Sequence, residues 1–189
     1  MEPIKRADLN LFEHDAEEEI LGEIPRHPIG LFFIAFNALV IILIILAALF
    51  YSIRNQDQLT GAAGISPGID IGNLPTIVAI TLVFLIVLGA ALAAYVYEGN
   101  YIVITDQKLV FVNQKNIFAR RISQLSIGDV QDVTVDQLTL LSRIFHYGTI
   151  NIETAGEQAH FVVPYAKDPH TAGKSIVEAH EKNLHKYGN

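Results

Sequence analysis

The sequence contains no cysteine. This absence excludes disulfide bonds, zinc sites built from thiolates and a cysteine nucleophile, although it does not identify the compartment. A basic surplus is also missing, because 13 Lys and Arg stand against 20 Asp and Glu. Residues 98–189 carry nine basic and ten acidic side chains. That segment has no positive surplus with which to hold a nucleic-acid backbone, so the composition predicts no nucleic-acid partner.

Motifs for catalysis, nucleotides and metals are absent as well. Gly173-Lys174-Ser175 resembles the end of a phosphate-binding loop, but the motif requires a glycine where Asp168 stands, and a carboxylate there repels phosphate. None of the seven histidines forms a metal-binding pair with a carboxylate at helical spacing. No serine lies in a nucleophile elbow. The sequence therefore predicts no catalytic residue, no nucleotide site, no metal and no cofactor.

Two long runs lack charged residues altogether. Leu31–Tyr51 is 21 residues long, and a second apolar run extends from Leu74 to Val96. At about 1.5 Å of rise per residue, each run reaches at least about 32 Å as a helix, which is enough to cross the hydrocarbon core of a bilayer. We predict transmembrane helices over residues 29–52 and 74–97, joined by an extracytoplasmic loop over residues 53–73.

The residues that flank these runs predict the topology. Residues 1–28 form an acidic segment with three Lys and Arg against eight Asp and Glu, and the loop has one against two. Because the positive-inside rule counts Lys and Arg rather than net charge, both termini are expected in the cytoplasm. A short amphipathic helix around Ala16 to Glu23 is predicted. The acidic segment is expected either to dock on its own domain or to bind a partner.

A few small or polar residues interrupt the apolar runs. Asn37 is expected to hydrogen-bond across a helix pair, and Gly89 with Ala93 forms a small-xxx-small pair that lets another helix approach closely. Ala90 and Ala94 form a second pair of this kind. The predicted packing partner is the first span or a second copy of the chain.

From Tyr101 onward the hydrophobic period changes to two, which indicates β-strands. We predict antiparallel strands, a bend or bulge between Gly128 and Asp132, and a last helix that begins after Asp168. The expected strands cover Tyr101–Thr105, Lys108–Val112, Ile117–Leu125, a segment around Val133 and Val135, Thr149–Thr154 and Ala159–Tyr165. A small barrel or sandwich with the C-terminal helix over its open end would bury both faces. Residues 98–189 thus form a cytoplasmic, mainly-β domain.

Four stretches of this order form a recognisable set: Tyr101–Val110, Ile127–Val133, Ile144–Ile150 and the juxtamembrane Arg26-His27-Pro28. Together with the paired spans, they resemble the bacterial pleckstrin-homology-like (PH-like) membrane family. The resemblance implies a PH-like barrel or sandwich that follows a membrane helical hairpin, with Tyr101–Thr105 as the first strand. Phe145 and Tyr147 are expected to be core anchors.

The lipid-binding members of that family use several Lys and Arg on a roomy loop between their first two strands. The corresponding turn is about two residues long here and includes Asp106, so no inositol-phosphate site is expected. Arg26, His27, Arg120 and Arg121 are candidate membrane-surface contacts, with a solvated strand face as the alternative for the last two. The predicted function is a non-enzymatic membrane protein that presents its PH-like domain for protein interaction or assembly. The alternative is a module that binds or handles lipid headgroups.

Overall fold

The computed structural model describes residues 18–56, 58, 73–154 and 160–188. Most of the predicted extracytoplasmic loop and residues 1–17 lie outside these ranges. The described chain forms seven strands, four α-helices and one 3-10 turn. In order they are β1 (Ile20–Pro25), α1 (Ile29–Arg54), α2 (Leu74–Glu98), β2 (Tyr101–Thr105), β3 (Lys108–Gln114), β4 (Arg120–Ser126), the 3-10 turn Ile127–Asp129, β5 (Val130–Asp136), α3 (Leu140–Ile144), β6 (Tyr147–Thr154), β7 (His160–Lys167) and α4 (Pro169–Tyr187).

The two apolar runs are helices of 26 and 25 residues with mean hydropathies of 3.0 and 2.9. Both are long and apolar enough to cross a membrane. The described residues between Leu31 and Ala94 form one compact unit. Within it, half-buried or buried positions recur every three or four residues on each helix, which indicates that the helices face each other along these residues. They include Ile34, Ala38, Ile42, Ile45 and Leu49 on α1, and Ala79, Val83, Ile86, Ala90 and Ala94 on α2.

The β domain consists of two antiparallel sheets, ordered β1-β2-β3-β4 and β5-β6-β7. Between them the described residues show one isolated bridge, from Arg26 to Ala166, and no closed barrel. Helix α4 packs on the sheets, and its Ile176 joins a fully buried core. That core includes Ile104, Leu109, Ile127, Ile150 and Ile152, each 0% exposed. The predicted irregularity appears as the 3-10 turn and as a register shift between Val130 and Asp132.

Strand β1 differs from the expected order of elements. The helix predicted around residues 16–23 is wrong for its described part, because Ile20–Pro25 is a strand paired antiparallel with β2. Tyr101–Thr105 is accordingly the second strand of the domain. Ile24 is only 4% exposed and packs in the core. Its burial and the pairing with β2 favour an extended strand more strongly than the local composition favours a helix. The acidic segment of residues 1–28 therefore contributes a strand to the β domain.

A group of charged side chains holds the start of β1 beside Thr105, the last residue of β2. Asp106 is fully buried; its Oδ1 accepts from Glu19 N at 3.0 Å, and its Oδ2 pairs with Lys186 Nζ at 2.8 Å. Lys108 Nζ pairs with the buried Glu18 carboxylate at 2.9 Å. Buried charges are tolerated when they are paired and hydrogen-bonded in this way. The N-terminal strand is thus fixed by charge pairs as well as by its ladder.

The pairing of β1 with β2 gives the helices their place in the chain. Pro25 lies opposite Tyr101 in the ladder, so residues 26–100 form the connection between two neighbouring antiparallel strands. The whole helical hairpin replaces the short turn that normally joins such strands. Among the described residues, those up to Gly30 and those from Tyr95 onward belong to the same compact unit as the β domain.

Candidate functional site

Helix α2 is joined to the sheet by Asn100. The Asn100 amide nitrogen donates to the carbonyl oxygens of Val96 and Tyr97, which are among the carbonyls that a helix end leaves without partners. Its Oδ1 accepts from Gln114 N at 3.1 Å. A Cβ at Gly99 would lie 2.8 Å from Gln114 Cβ, so the chain needs a glycine to pass here. The Asn100 side chain therefore bridges the last turn of α2 to the end of β3.

Several hydrogen bonds fix His27, which lies two residues before helix α1. The ring Nδ1 accepts from Ile29 N at 3.0 Å and so caps the first turn of the helix. The His27 N–H donates to Tyr165 O at 2.6 Å, and its carbonyl accepts from the Tyr97 hydroxyl at 2.7 Å. One residue thus connects the start of α1, the end of α2 and strand β7.

Aromatic rings fill the space around His27. The His27 ring centroid lies 5.6 Å from that of Tyr147, and Tyr147 stacks on Tyr165 at 5.8 Å. The Arg26 guanidinium lies 5.4 Å from the Tyr97 ring centroid, within the range of a cation–π contact. We call Arg26, His27, Gly30, Tyr97, Tyr147 and Tyr165 the junction cluster.

Gly30 is required by the close approach of Tyr97. A Cβ at position 30 would lie 2.1–2.3 Å from the end of the Tyr97 ring. Such a contact is impossible without moving a ring whose hydroxyl is already bound to His27 O. A glycine in the first turn of α1 therefore lets the two helix ends approach as closely as the β1–β2 pairing demands.

Burial sets the electrostatics of the cluster. Desolvation lowers the pKa of Arg26, against the opposing influence of Tyr97 and Tyr165, and the guanidinium remains charged at neutral pH. Desolvation also lowers the pKa of His27, aided by Lys167 and His146 and opposed by Asp168 and by a hydrogen bond with the Phe145 backbone. His27 is consequently neutral at pH 7, which suits an acceptor at a helix N-terminus, where the dipole disfavours a cation.

Three non-glycine residues in or next to the junction cluster have left-handed backbone conformations. They are His146, Tyr165 and Asp168, with φ of 53°, 56° and 44°. This conformation costs an L-residue about 1–2 kcal/mol, and such residues concentrate at functional sites. Asp168 N donates to His146 O at 3.0 Å, so two of the three are linked. The surrounding contacts hold the backbone in a costly shape at the end of the domain that carries the helix ends.

The structure brings two of the predicted surface residues into the junction cluster and leaves two outside. Arg26 and His27 belong to the cluster. Arg120 and Arg121 are exposed at the start of β4, where Arg120 Nε donates to Gln114 Oε1 at 2.8 Å. Gln114 also contacts Asn100 and Gly99, so the two arginines lie beside the end of α2.

The predicted packing residues lie on the helices. The Asn37 amide nitrogen donates to Phe33 O of its own helix at 2.8 Å. Gly89 and Ala93 are exposed, and a Cβ at Gly89 would have nothing within 4 Å. Their packing against another chain stays a prediction, whereas Ala90 and Ala94 lie on the half-buried face.

The aromatic members of the cluster could not be assembled from the sequence. Tyr147 is buried, as predicted for a core anchor, but Phe145 is 47% exposed, so that prediction was wrong for Phe145. Tyr97, Tyr147 and Tyr165 come from α2, β6 and β7, and no spacing relates them. The one signal in the sequence was Arg26-His27-Pro28, which precedes the first apolar helix.

Comparison with known proteins identifies the family. A model of the bacterial PH domain family matches residues 20–175. The match begins at the first residue of β1, spans both helices and ends within α4. The chain belongs to the bacterial PH domain family. Recognition of this family from the sequence is thereby confirmed.

Two further comparisons give less. A solved structure with similarity to this bacterial PH domain protein is the crystal structure of a DUF1696 family protein with a pleckstrin-homology domain from Shewanella loihica PV-4. It is 14% identical, the match covers 43% of this chain and 70% of that chain, and the TM-score is 0.35. No curated protein sequence matches the chain.

The positions first considered for phosphate binding are engaged otherwise. Asp106 and Lys108, at the turn between β2 and β3, pair with Lys186 and Glu18. Gly173-Lys174-Ser175 lies inside helix α4, so it forms no loop. A Cβ at Gly173 would lie 2.9 Å from Val135 Cγ2, which gives this glycine a packing role. Among the described residues, no group of three His, Asp or Glu side chains is placed to hold a metal ion.

Proposed function

We propose that this bacterial PH domain protein is a non-enzymatic integral membrane protein. Its two helices cross the cytoplasmic membrane, and its β domain works at the cytoplasmic surface as a protein-interaction or assembly module. The observation that carries the proposal is the attachment of the domain. β1 leads into α1, α2 leads into β2, and the two strands pair. A domain built around both helix ends is one whose place of action is the membrane.

The surface of the helices supports membrane insertion. Only 6% of the most apolar window of each helix is buried, although their mean hydropathies are 3.0 and 2.9. A helix that is apolar on all sides is normally buried in a large core or in lipid. Since the described residues leave most of the helix surface uncovered, lipid is the environment that satisfies these helices.

The flanking charges favour the cytoplasmic side for both termini. Lys108, Lys115, Arg120 and Arg121 follow the second helix closely, whereas Arg54 is the sole Lys or Arg between residues 53 and 73. The asymmetry is that of the positive-inside rule. A reporter fused after Asn189 should be active only in the cytoplasm, and activity outside the cell would overturn this orientation.

A role in assembly fits the use of the polar side chains. In the junction cluster they hold the helix ends to the sheet, and Arg26 lies against Tyr97. Confinement to a membrane also raises the effective concentration of a module for a membrane partner, to the millimolar range for short tethers. Interaction is therefore the activity that the arrangement favours.

Self-association is tested most directly on α2. Ala93 lies on the exposed face and Ala90 on the half-buried face, and the chain has no native cysteine. If the exposed face joins two copies, Ala93→Cys should form disulfide-linked dimers in native membranes in much higher yield than Ala90→Cys. Equal yields would indicate random collision and would exclude this face as the interface.

A hetero-partner requires a second experiment. The full chain, extracted with its surrounding lipid by an amphipathic copolymer, should retain either its own oligomer or a partner in fixed stoichiometry. Recovery of a monomer alone after cross-linking in native membranes would overturn the assembly role.

Binding of lipid headgroups is the second candidate, favoured by the exposure of Arg120 and Arg121. Residues 98–189 alone are unsuitable for a test because they lack β1, so the full chain must be used. In native mass spectrometry from nanodiscs, Arg120→Ala with Arg121→Ala should lose retained anionic lipid relative to Lys174→Ala, an exposed control. Equal retention would remove this candidate.

A further inference from the structure

Two segments of the β domain expose large apolar side chains. The β3–β4 tip, residues 115–121, presents Phe118 at 95% exposure. The α3 segment, residues 138–146, presents Leu138 at 87%, Leu140 at 74% and Ile144 at 57%. From Asn100 onward these four are the most exposed large apolar residues of the described chain. Exposed apolar patches of this kind mark a surface that contacts a membrane or another protein.

The β3–β4 tip starts beside the end of α2. Gln114, the residue before the tip, contacts Gly99 and binds Asn100, and Glu98 ends the helix. Inside the tip, Asn116 Oδ1 accepts from Phe118 N at 2.9 Å and from Ala119 N at 2.8 Å. This turn fixes the backbone while leaving the Phe118 ring in the open.

The α3 segment lies beside the start of α1. Tyr147, which directly follows the segment, packs on the His27 ring with 5.6 Å between the ring centroids. His27 in turn caps the first turn of α1 through Ile29 N. The two apolar segments therefore adjoin the two helix ends, one each.

The charges of the two segments match an anionic lipid surface. The segments contain Lys115, Arg120, Arg121 and Arg143 and no Asp or Glu, in a chain with 20 acidic residues. Apolar residues combined with Lys and Arg are the composition of elements that lie in the membrane interface. Each cation near an anionic leaflet adds to the attraction.

We infer that the β3–β4 tip and the α3 segment insert into the interface of the same bilayer that the helices cross, with their apolar side chains below the phosphates and their cations among the headgroups. This inference rests on the proposed membrane insertion of α1 and α2. The reason for choosing lipid over a protein partner is continuity. The residue next to each segment, Gln114 or Tyr147, contacts a residue that adjoins an apolar helix, Asn100 or His27.

The absence of cysteine allows a direct test on the full chain. Single-cysteine variants Phe118→Cys, Leu138→Cys and Leu140→Cys carry a nitroxide spin label in nanodiscs of phosphatidylethanolamine and phosphatidylglycerol. Ser126→Cys is the matched control, because Ser126 is exposed and its neighbour Ile127 binds Gln107 O at the other end of β2. Ile44→Cys, at a 63% exposed position of α1, reports on the span itself.

The expected result is preferential collision with oxygen over a water-soluble nickel complex at the three test sites, at depths of about 5–10 Å. The label at Ser126→Cys should collide mainly with the nickel complex. If the label at Ile44→Cys collides mainly with oxygen while the labels at the test sites are as accessible to the nickel complex as that at Ser126→Cys, the inference is wrong and the proposed function stands. If the label at Ile44→Cys itself collides mainly with the nickel complex, the proposed membrane insertion of the helices is wrong and the inference is wrong with it.

A second readout guards against perturbation by the label. The chain has no tryptophan, so Phe118→Trp and Ser126→Trp each introduce one fluorophore. Lipids brominated near the headgroup should quench Phe118→Trp severalfold more than Ser126→Trp. Equal quenching would contradict insertion. Labels at the test sites that are shielded from both oxygen and nickel would assign the segments to a protein contact and would overturn the inference.

Discussion

Replacing Asp106 with asparagine should loosen strand β1 and destabilise the whole domain. The buried carboxylate binds Glu19 N at 3.0 Å and Lys186 Nζ at 2.8 Å. Asparagine keeps the shape and can still accept from Glu19 N, but its amide cannot pair with the ammonium group. Hydrogen bonds to charged groups contribute about 1.5–3 kcal/mol each. Because Lys186 is 48% exposed and its pair is screened by solvent, we expect a net loss of about 2 kcal/mol.

The assay combines unfolding with local exchange. Urea unfolding of the full chain in detergent micelles measures the change in free energy, and hydrogen exchange locates it. Faster exchange should be confined first to β1 and its partner β2. The control is Lys174→Gln, which removes an exposed pair with Glu178 at 3.4 Å and should cost less than about 0.5 kcal/mol. An Asp106→Asn variant as stable as this control would refute the reasoning.

The same carboxylate gives the stability a defined pH dependence. Burial alone would raise the pKa of Asp106, but the hydrogen bonds from Lys186 and Glu19 N outweigh it and lower that pKa. A folded-state pKa below the unfolded value of about 3.9 means that the contribution is complete above that pH. It is lost as the pH falls through the folded-state pKa. The difference in stability between the wild type and Asp106→Asn should therefore shrink only on the acid side.

Three further predictions concern the junction cluster. Gly30→Ala should displace the Tyr97 ring and break its hydrogen bond to His27 O, which should lower the free energy of unfolding in urea by about 1 kcal/mol. Tyr97→Phe should lose the same hydrogen bond. If the double variant lost the full sum of the two single losses, the two changes would not act through one shared bond. His27 has a lowered pKa, so stability should be complete above its unfolded pKa of about 6.5 and should fall as the pH drops below it; thermal unfolding of His27→Ala should lack this step. His146→Gly should unfold at the same or slightly higher urea concentration, since glycine removes a strain of about 1 kcal/mol at a φ of 53°; a clear loss would show that the ring itself is needed.

Those elements whose pattern is local could be predicted from the sequence. The two apolar runs and the alternating strands around Asp106-Gln107 carry their periodicity within a few residues, and the structure has them close to the predicted bounds. The β4 start was misplaced, since Ile117 and Phe118 look like strand residues. The Asn116 side chain instead binds the N–H groups of Phe118 and Ala119 and holds them in a turn.

What could not be predicted depends on contacts between distant parts of the chain. β1 is a strand because it pairs with β2, which follows both long helices in the chain, and because this pairing buries Ile24 in the core. The local signal of acidic residues favoured a helix. The junction cluster has the same origin, because His27, Tyr97 and Tyr165 meet only once the sheet has formed. The hydrophobic pattern of a single short stretch of sequence cannot predict contacts between residues that are so far apart in the chain.

The insertion of the helices between paired strands explains why the junction contains both its glycine and its strained residues. Neighbouring strands lie about 4.8 Å apart, whereas packed helices lie about 8–10 Å apart. The chain must reconcile the two spacings between Pro25 and Ile29 on one side and between Glu98 and Tyr101 on the other. Gly30 allows the Tyr97 ring into this narrow space, and Tyr165, held at a positive φ, supplies the carbonyl that fixes His27. The strain at this end is thus the structural cost of entering and leaving the β domain through two adjacent strands, and the proposed membrane role gives the reason to retain it.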